Sequence, residues 1–312
     1  MSVVTLAGAM SVTIVVVIVS LVVAVPRRGH AERLSRRLGL ALPADAAERA
    51  EIVSRDRGRI RWIAFGGCLG FIATIAVLLG AAAAGLVADP GAGAPWIGLA
   101  GLVLGAATAA LGAVLGRRHP ADPTRPRVAH ARHTALGDYL DPIELVGARV
   151  VAILGALATA VALLSPGSSW LGGQPLPATV LAAGGLLGLV LLEVGGRRVV
   201  LARPRVADTS NALAWDDATR ATELRTLATA PIMMGSYSLV FSGMAGLGSV
   251  VRLLPDAAAL IVVNLSFFVL VAAVVAVGVV ALSRRPEQFY LRRLWPEIAA
   301  ANASAASTRY AR

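Results

Sequence analysis

The stretch ARVVAILGALATAVALLSPGSSWLGGQPLPATVLAAGGLLGLVLLEVGGRR, residues 148–198, decides the fold. It holds two apolar runs, 149–165 and 178–196. Each approaches the ~20 residues that a helix rising about 1.5 Å per residue needs to cross roughly 30 Å of hydrocarbon. Pro166 and Pro177 bracket a short Gly/Ser/Pro-rich turn between them, and arginines close the open ends at Arg149 and at Arg197/Arg198. The pattern predicts a membrane hairpin with both open ends on one basic side.

Working outward, five more apolar runs of spanning length appear at about 3–25, 63–88, 96–116, 231–252 and 257–283. With 57% hydrophobic and 15% charged residues, and a mean hydropathy of +0.73, the chain is not one that water would hold in solution. The expected fold is an all-α integral membrane protein with seven transmembrane helices over residues 1–283. A tail, 284–312, follows, amphipathic at first and disordered from Ala299. The first span has no positive charge before it and is too long for the apolar core of a signal peptide, so it reads as a retained helix.

Orientation follows from the arginines, which supply all 29 basic residues. Ten lie in 26–61, six in 117–149, six in 197–225 and six after 283, against Arg252 alone on the other side. By the positive-inside rule the N-terminus is outside, the C-terminus is cytoplasmic, and the loops 26–62, 117–148 and 197–230 are cytoplasmic. Arginine pairs at 27/28, 117/118, 197/198 and 284/285 fit anchoring to anionic headgroups, each charge being worth about 1 kcal/mol near the surface. The net charge of +11 is spread along the membrane with few aromatics, so the bilayer, not nucleic acid, is its expected partner.

RPRVA occurs twice, at 125–129 and 203–207. After each copy come an Ala-Leu step, an aromatic beside aspartate (Asp138-Tyr139, Trp215-Asp216) and Glu-Leu (Glu144-Leu145, Glu223-Leu224), closed by Arg149 or Arg225. A helix, basic loop, helix unit is thus repeated, and the plan becomes three hairpins plus a seventh helix, the first hairpin being a degenerate copy. Arg-Pro-Arg is extended chain with two guanidinium groups free for carboxylates or phosphates. A helix is predicted over 211–227, capped from Asp208, Thr209 or Ser210. Two readings of these loops stand side by side. In one, Arg125 or Arg127 pairs with Asp216 or Asp217 of the other copy; in the other, Arg125, Arg127, Tyr139, Arg203, Arg205, Trp215, Asp216 and Asp217 form a docking surface for a protein partner.

Inside the membrane the only ionisable side chain is Glu193, and its spacing to Arg197 predicts an interfacial i,i+4 ion pair. The sixth span is the most polar. Ser238 and Ser242 on it, with Asn264 on the seventh, form a candidate seam; Ser242 and Asn264 lie about 15 and 12 Å deep by helical rise. Such hydroxyls serve packing specificity in one reading and line a substrate path in the other. Glycine pairs at four-residue spacing, Gly184/Gly188 among them, allow close helix approach. In the tail, Tyr290, Leu291, Leu294 and Trp295 share one face and predict a short helix lying in the membrane interface.

Several chemistries are excluded. The chain contains no lysine for a Schiff base, and Cys68 is its only cysteine. His30, His119, His130 and His133 all fall in loops, so no span offers a haem ligand or an intramembrane catalytic base. No cofactor, metal site or catalytic residue is expected. The arginine-only basic set, the Ala/Gly/Val/Leu-rich spans and the RPRVA loops resemble those of uncharacterised actinobacterial multi-pass membrane proteins over the central half of the chain. The resemblance implies a bacterial plasma-membrane location and carries no activity. The function expected is that of a non-enzymatic subunit or regulator whose basic cytoplasmic loops contact a partner, with room for a homo-oligomer. The alternative is the permease component of a transporter driven by a separate ATPase.

Overall fold

In the computed structural model the described residues are 30–43, 45–46, 48–54, 56–58, 60–61, 134–165, 176–202, 209–251 and 288–302, together with Phe65, Ile72 and Ala76. They are helices and loops, with no strand among them. The spans expected at 3–25, 96–116 and 257–283, and all but three residues of 63–88, lie outside the described residues.

In chain order the elements are α1 (His30–Leu38), α2 (Leu136–Tyr139), α3 (Pro142–Leu164), α4 (Leu176–Val190), α5 (Ser210–Val251) and α6 (Phe289–Leu294). α3 starts two turns before the apolar run predicted at 149, because its N-terminus is capped by sequence. The Asp141 carboxylate accepts from the Ile143 N–H at 2.9 Å, Glu144 accepts in return from the Asp141 N–H at 3.3 Å, and Pro142 occupies the first turn. α4 does not stop at 196 but widens into a π-helix, Leu191–Leu201, closed by the Ala202 N–H donating to the Arg197 carbonyl at 3.1 Å.

Three helices, Pro142–Leu164, Ala178–Leu201 and Ser210–Gly246, are long and apolar enough to cross a membrane. On α3, Val146, Val150, Ile153, Leu157 and Val161 stay exposed, as do Leu187, Val190 and Val194 on α4 and its extension. Water disfavours such an apolar face and lipid tails accept it. The inner faces of the three helices pack on one another through small residues. A methyl group on Gly155 would meet the Gly235 carbonyl oxygen at 2.5 Å, and one on Gly235 would meet the Val151 carbonyl at 2.6 Å, so α3 and α5 cross backbone to backbone. Gly184 and Gly188 face α5, against Met234 and Pro231.

The sequence reading gives two elements, a helix over 211–227 within the loop 197–230 and a span over 231–252. The structure replaces both with one continuous 42-residue helix, α5. Proline removes a backbone donor and crowds the carbonyl four residues back. Here Pro231 is fully buried against Gly188, where a side chain on the glycine would come within 3.0 Å of the proline ring. Packing at the crossing outweighs the local preference.

Beyond the crossing, the first half of α5 enters a separate core, the cap. Leu40 follows α1, Leu136 and Tyr139 come from α2, Trp215 and Leu224 from α5, and Leu291 from α6. With Ala148 of α3 and Leu192 and Val200 of the π-helix, segments distant in sequence are closed into one apolar cluster. The tail corrects an expectation: Tyr290, Leu291 and Trp295 are buried against protein instead of lying in the membrane interface. Residues 296–302, expected to be disordered from Ala299, are helical, and the Asn302 amide donates to the Gly39 carbonyl at 2.7 Å. Gly39 takes the left-handed φ of 71° after α1.

Candidate functional site

The cap is organised around Asp217, whose side chain has no exposure. The Tyr139 hydroxyl donates to its Oδ1 at 2.8 Å, and the Trp295 indole N–H donates to its Oδ2 at 3.1 Å. One carboxylate thus ties α2, α5 and the chain after α6 together. Charge-assisted bonds of this kind are stronger than neutral ones, and a buried carboxylate requires them. Trp215, at 3% exposure, points inward as well, its indole N–H donating to the Ala41 carbonyl at 3.0 Å.

Asp216 pairs with Arg220 on the next turn at 2.8 Å. The same buried guanidinium donates to the carbonyls of Val200 at 3.0 Å and Leu201 at 3.4 Å. Arg220 therefore closes the C-terminal end of the π-helix, whose last carbonyls have no partner within their own helix. Arg225 pairs with Glu144 at 3.2 Å, linking α5 to the first turn of α3.

The Tyr290 hydroxyl is fully buried and has no hydrogen-bond partner among the described residues. Leaving such a group bare costs about 1–3 kcal/mol. Burial first, and then the neighbouring Asp217 charge, push its pKa above the ordinary 10.0, with Arg225 acting in the opposite sense. The folded state therefore keeps this proton where the unfolded state gives it up. Stability from this group is intact below about pH 10 and falls as the pH rises beyond it. In hydrogen exchange or thermal unfolding between about pH 9 and 11, the wild-type cap should weaken more steeply than that of Tyr290→Phe. Parallel profiles would contradict this.

On the π-helix that continues α4, Glu193 accepts from Arg197 at 2.9 Å and from Arg149 of α3 at 2.7 Å. Arg149 is the partner that sequence spacing did not supply. The pair is half open to solvent, Arg197 being 63% exposed, so it fixes geometry more than it adds stability. Deeper in the bundle, Thr159 of α3 lies 2.7 Å from both the Ser238 and Ser242 hydroxyls of α5. Thr159 also donates to the Gly155 carbonyl at 2.9 Å, and Ser238 to the same carbonyl at 3.1 Å. Ser242 thus meets Thr159, while Asn264 lies outside the described residues.

Arg125, Arg127, Arg203 and Arg205 also lie outside the described residues. Of the remaining docking candidates, Tyr139, Trp215 and Asp217 are buried, the first and last bonded to each other, and Asp216 is engaged by Arg220. Sequence reasoning missed Thr159, Arg220 and the indole of Trp295. The only signal for Thr159 was a lone hydroxyl in an otherwise apolar run. Between the foot of α3 and α6 lies an open groove of about 610 Å³, lined by Asp141, Pro142, Ile143, Phe289 and Arg292. Among the described residues no three His, Cys, Asp or Glu side chains come together as a metal site. Comparison with known protein families, with curated proteins and with solved structures finds no match.

Proposed function

We propose that the chain is a seven-helix protein of the bacterial plasma membrane, N-terminus outside, whose cap is cytoplasmic and serves as the contact surface of a non-enzymatic subunit or regulator. The observation that carries this is the cap itself: a core that joins the ends of the three long helices to the segments around Leu40, Tyr139 and Leu291, with Arg33, Arg36, Arg37 and Arg292 exposed on it. Arginine asymmetry puts that surface inside the cell, close to anionic headgroups. Tyr139 and Asp217, one following each RPRVA segment, bond to each other in the cap, so the two repeated loops are in contact there.

The contact surface on this reading is the outer, arginine-bearing side of the cap, since the aromatic residues face inward. The hydroxyl seam favours packing over a permease path. Thr159, Ser238 and Ser242 have three protons, and each has an acceptor inside the bundle, so no hydroxyl is left over for a substrate. Copurification from native membranes tests the proposal. The full chain should retain a companion with an acidic surface, and Arg33→Glu with Arg36→Glu and Arg37→Glu should lose it while still inserting. An ATPase retained by both would favour the permease reading. Retention of no companion, or only of a second copy of the chain, would overturn the present one.

A further inference from the structure

The segment 288–302 is held to the cap by two different kinds of contact. Its edges carry polar contacts near solvent, among them Gln288 to the Arg37 carbonyl at 3.2 Å, Asn302 to the Gly39 carbonyl, and the exposed Arg293 to Asp138 at 3.4 Å. Bonds exposed to water exchange readily with it and hold little. Its centre is apolar, with Tyr290 and Leu291 fully buried and the Trp295 indole fastened to Asp217.

The centre contains a defect. The Tyr290 hydroxyl is hydrated when the segment is off and bare when it is on, so this one oxygen biases the segment toward release. A permanently packed helix would be better served by phenylalanine, which fills the same space without the oxygen. Release would uncover a seat, the apolar surface of α2 and α5 on which α6 packs, with the Asp217 carboxylate that now holds the Trp295 indole. Water does not tolerate such a surface for long, and the segment itself shows what the seat accepts: a short helix bearing two aromatic side chains, one of them an N–H donor.

We propose that Gln288–Asn302 is a releasable strap, and that its seat on the cap takes, in exchange, an amphipathic helix of a partner protein carrying an indole donor for Asp217. The inference rests on the partner-contact reading above and names the chemistry of that partner. Sequence reasoning selected Tyr139 and Asp217 as docking residues; the strap explains how residues buried in this structure can serve that purpose.

The test uses the full-length chain in lipid nanodiscs, with hydrogen exchange as the first readout. Amides of 290–302 should open independently of those of α3 and α5. Tyr290→Phe should slow that opening several-fold, and Trp295→Phe, which keeps the apolar ring but loses the donor, should speed it about tenfold. The second readout is binding of a labelled synthetic peptide with the sequence of residues 286–304. It should bind the Trp295→Phe chain more tightly than the wild type, whose seat is occupied, and lose most of that binding when Asp217→Asn is added. The strap is refuted if 290–302 exchanges only together with α5, if Tyr290→Phe leaves its opening unchanged, or if the peptide binds none of these chains. Copurification and exchange fail separately: a strap that opens without any retained companion removes only the partner, and a strap that never opens leaves the companion's contact on the arginine face standing.

Discussion

Gly235→Ala should, together with Gly155→Ala at the same crossing, destabilise the bundle more than a methyl group added to any other described glycine. The new carbon would lie 2.6 Å from the Val151 carbonyl oxygen and 2.7 Å from the Ala152 nitrogen, and both obstacles are backbone. No side-chain rotation relieves such a clash, so α3 and α5 must separate. Separation would also stretch the 2.7 Å contacts of Thr159 with Ser238 and Ser242. Overpacking ordinarily costs about 1–3 kcal/mol, and a backbone obstacle places this variant at the upper end or beyond. Gly243 is the control, because a methyl group there meets nothing within 4 Å. Gly243→Ala should be neutral, or stabilising by up to about 1 kcal/mol through helix propensity. Equal folded fractions of the two variants during denaturant titration in bicelles would contradict the crossing as described.

The second large effect is expected at Asp217. Asp217→Ala removes the acceptor for the Tyr139 hydroxyl and the Trp295 indole at once and leaves two buried donors bare, a loss of about 2–5 kcal/mol. Asp217→Asn keeps one acceptor oxygen and should lose roughly half as much. Tyr139→Phe removes donor and hydroxyl together and should cost about 1 kcal/mol. Because Tyr139 and Asp217 touch, Tyr139→Phe combined with Asp217→Asn should cost less than the sum of the two single losses. Tryptophan fluorescence during thermal unfolding follows the cap directly, since Trp215 and Trp295 both lie in it. Strict additivity would mean that the hydroxyl and the carboxylate do not interact.

What could be read from the chain alone divides along physical lines. Apolar runs announce membrane helices because burial in lipid is a property of composition over about twenty residues, and three of those predicted stand as long apolar helices. The cap was not legible. The bond from Trp215 to Ala41 joins residues 174 positions apart, and no local pattern encodes it. The face formed by Tyr290, Leu291 and Trp295 was recognised, but an amphipathic helix has the same periodicity whether its apolar side meets lipid or protein. The 211–227 helix and the 231–252 span were separated where the apolar run begins, and a change of composition does not break a helix that continues through Pro231. Glu193 and Arg197 were within reach because an i,i+4 pair is set by helix geometry, whereas Arg149 joins them only through the fold.

The unbroken course of α5 has a mechanical consequence. Forty-two residues make a rod about 63 Å long, fixed near its middle where Gly235 meets α3. The arm from that fulcrum to Trp215 is about 30 Å, so a tilt of about 5° at the crossing would carry the indole roughly 3 Å. Any load on the Trp215 arm would be felt among the hydroxyls around Ser238. The rod has the geometry of a lever that joins the helix crossing to the cap.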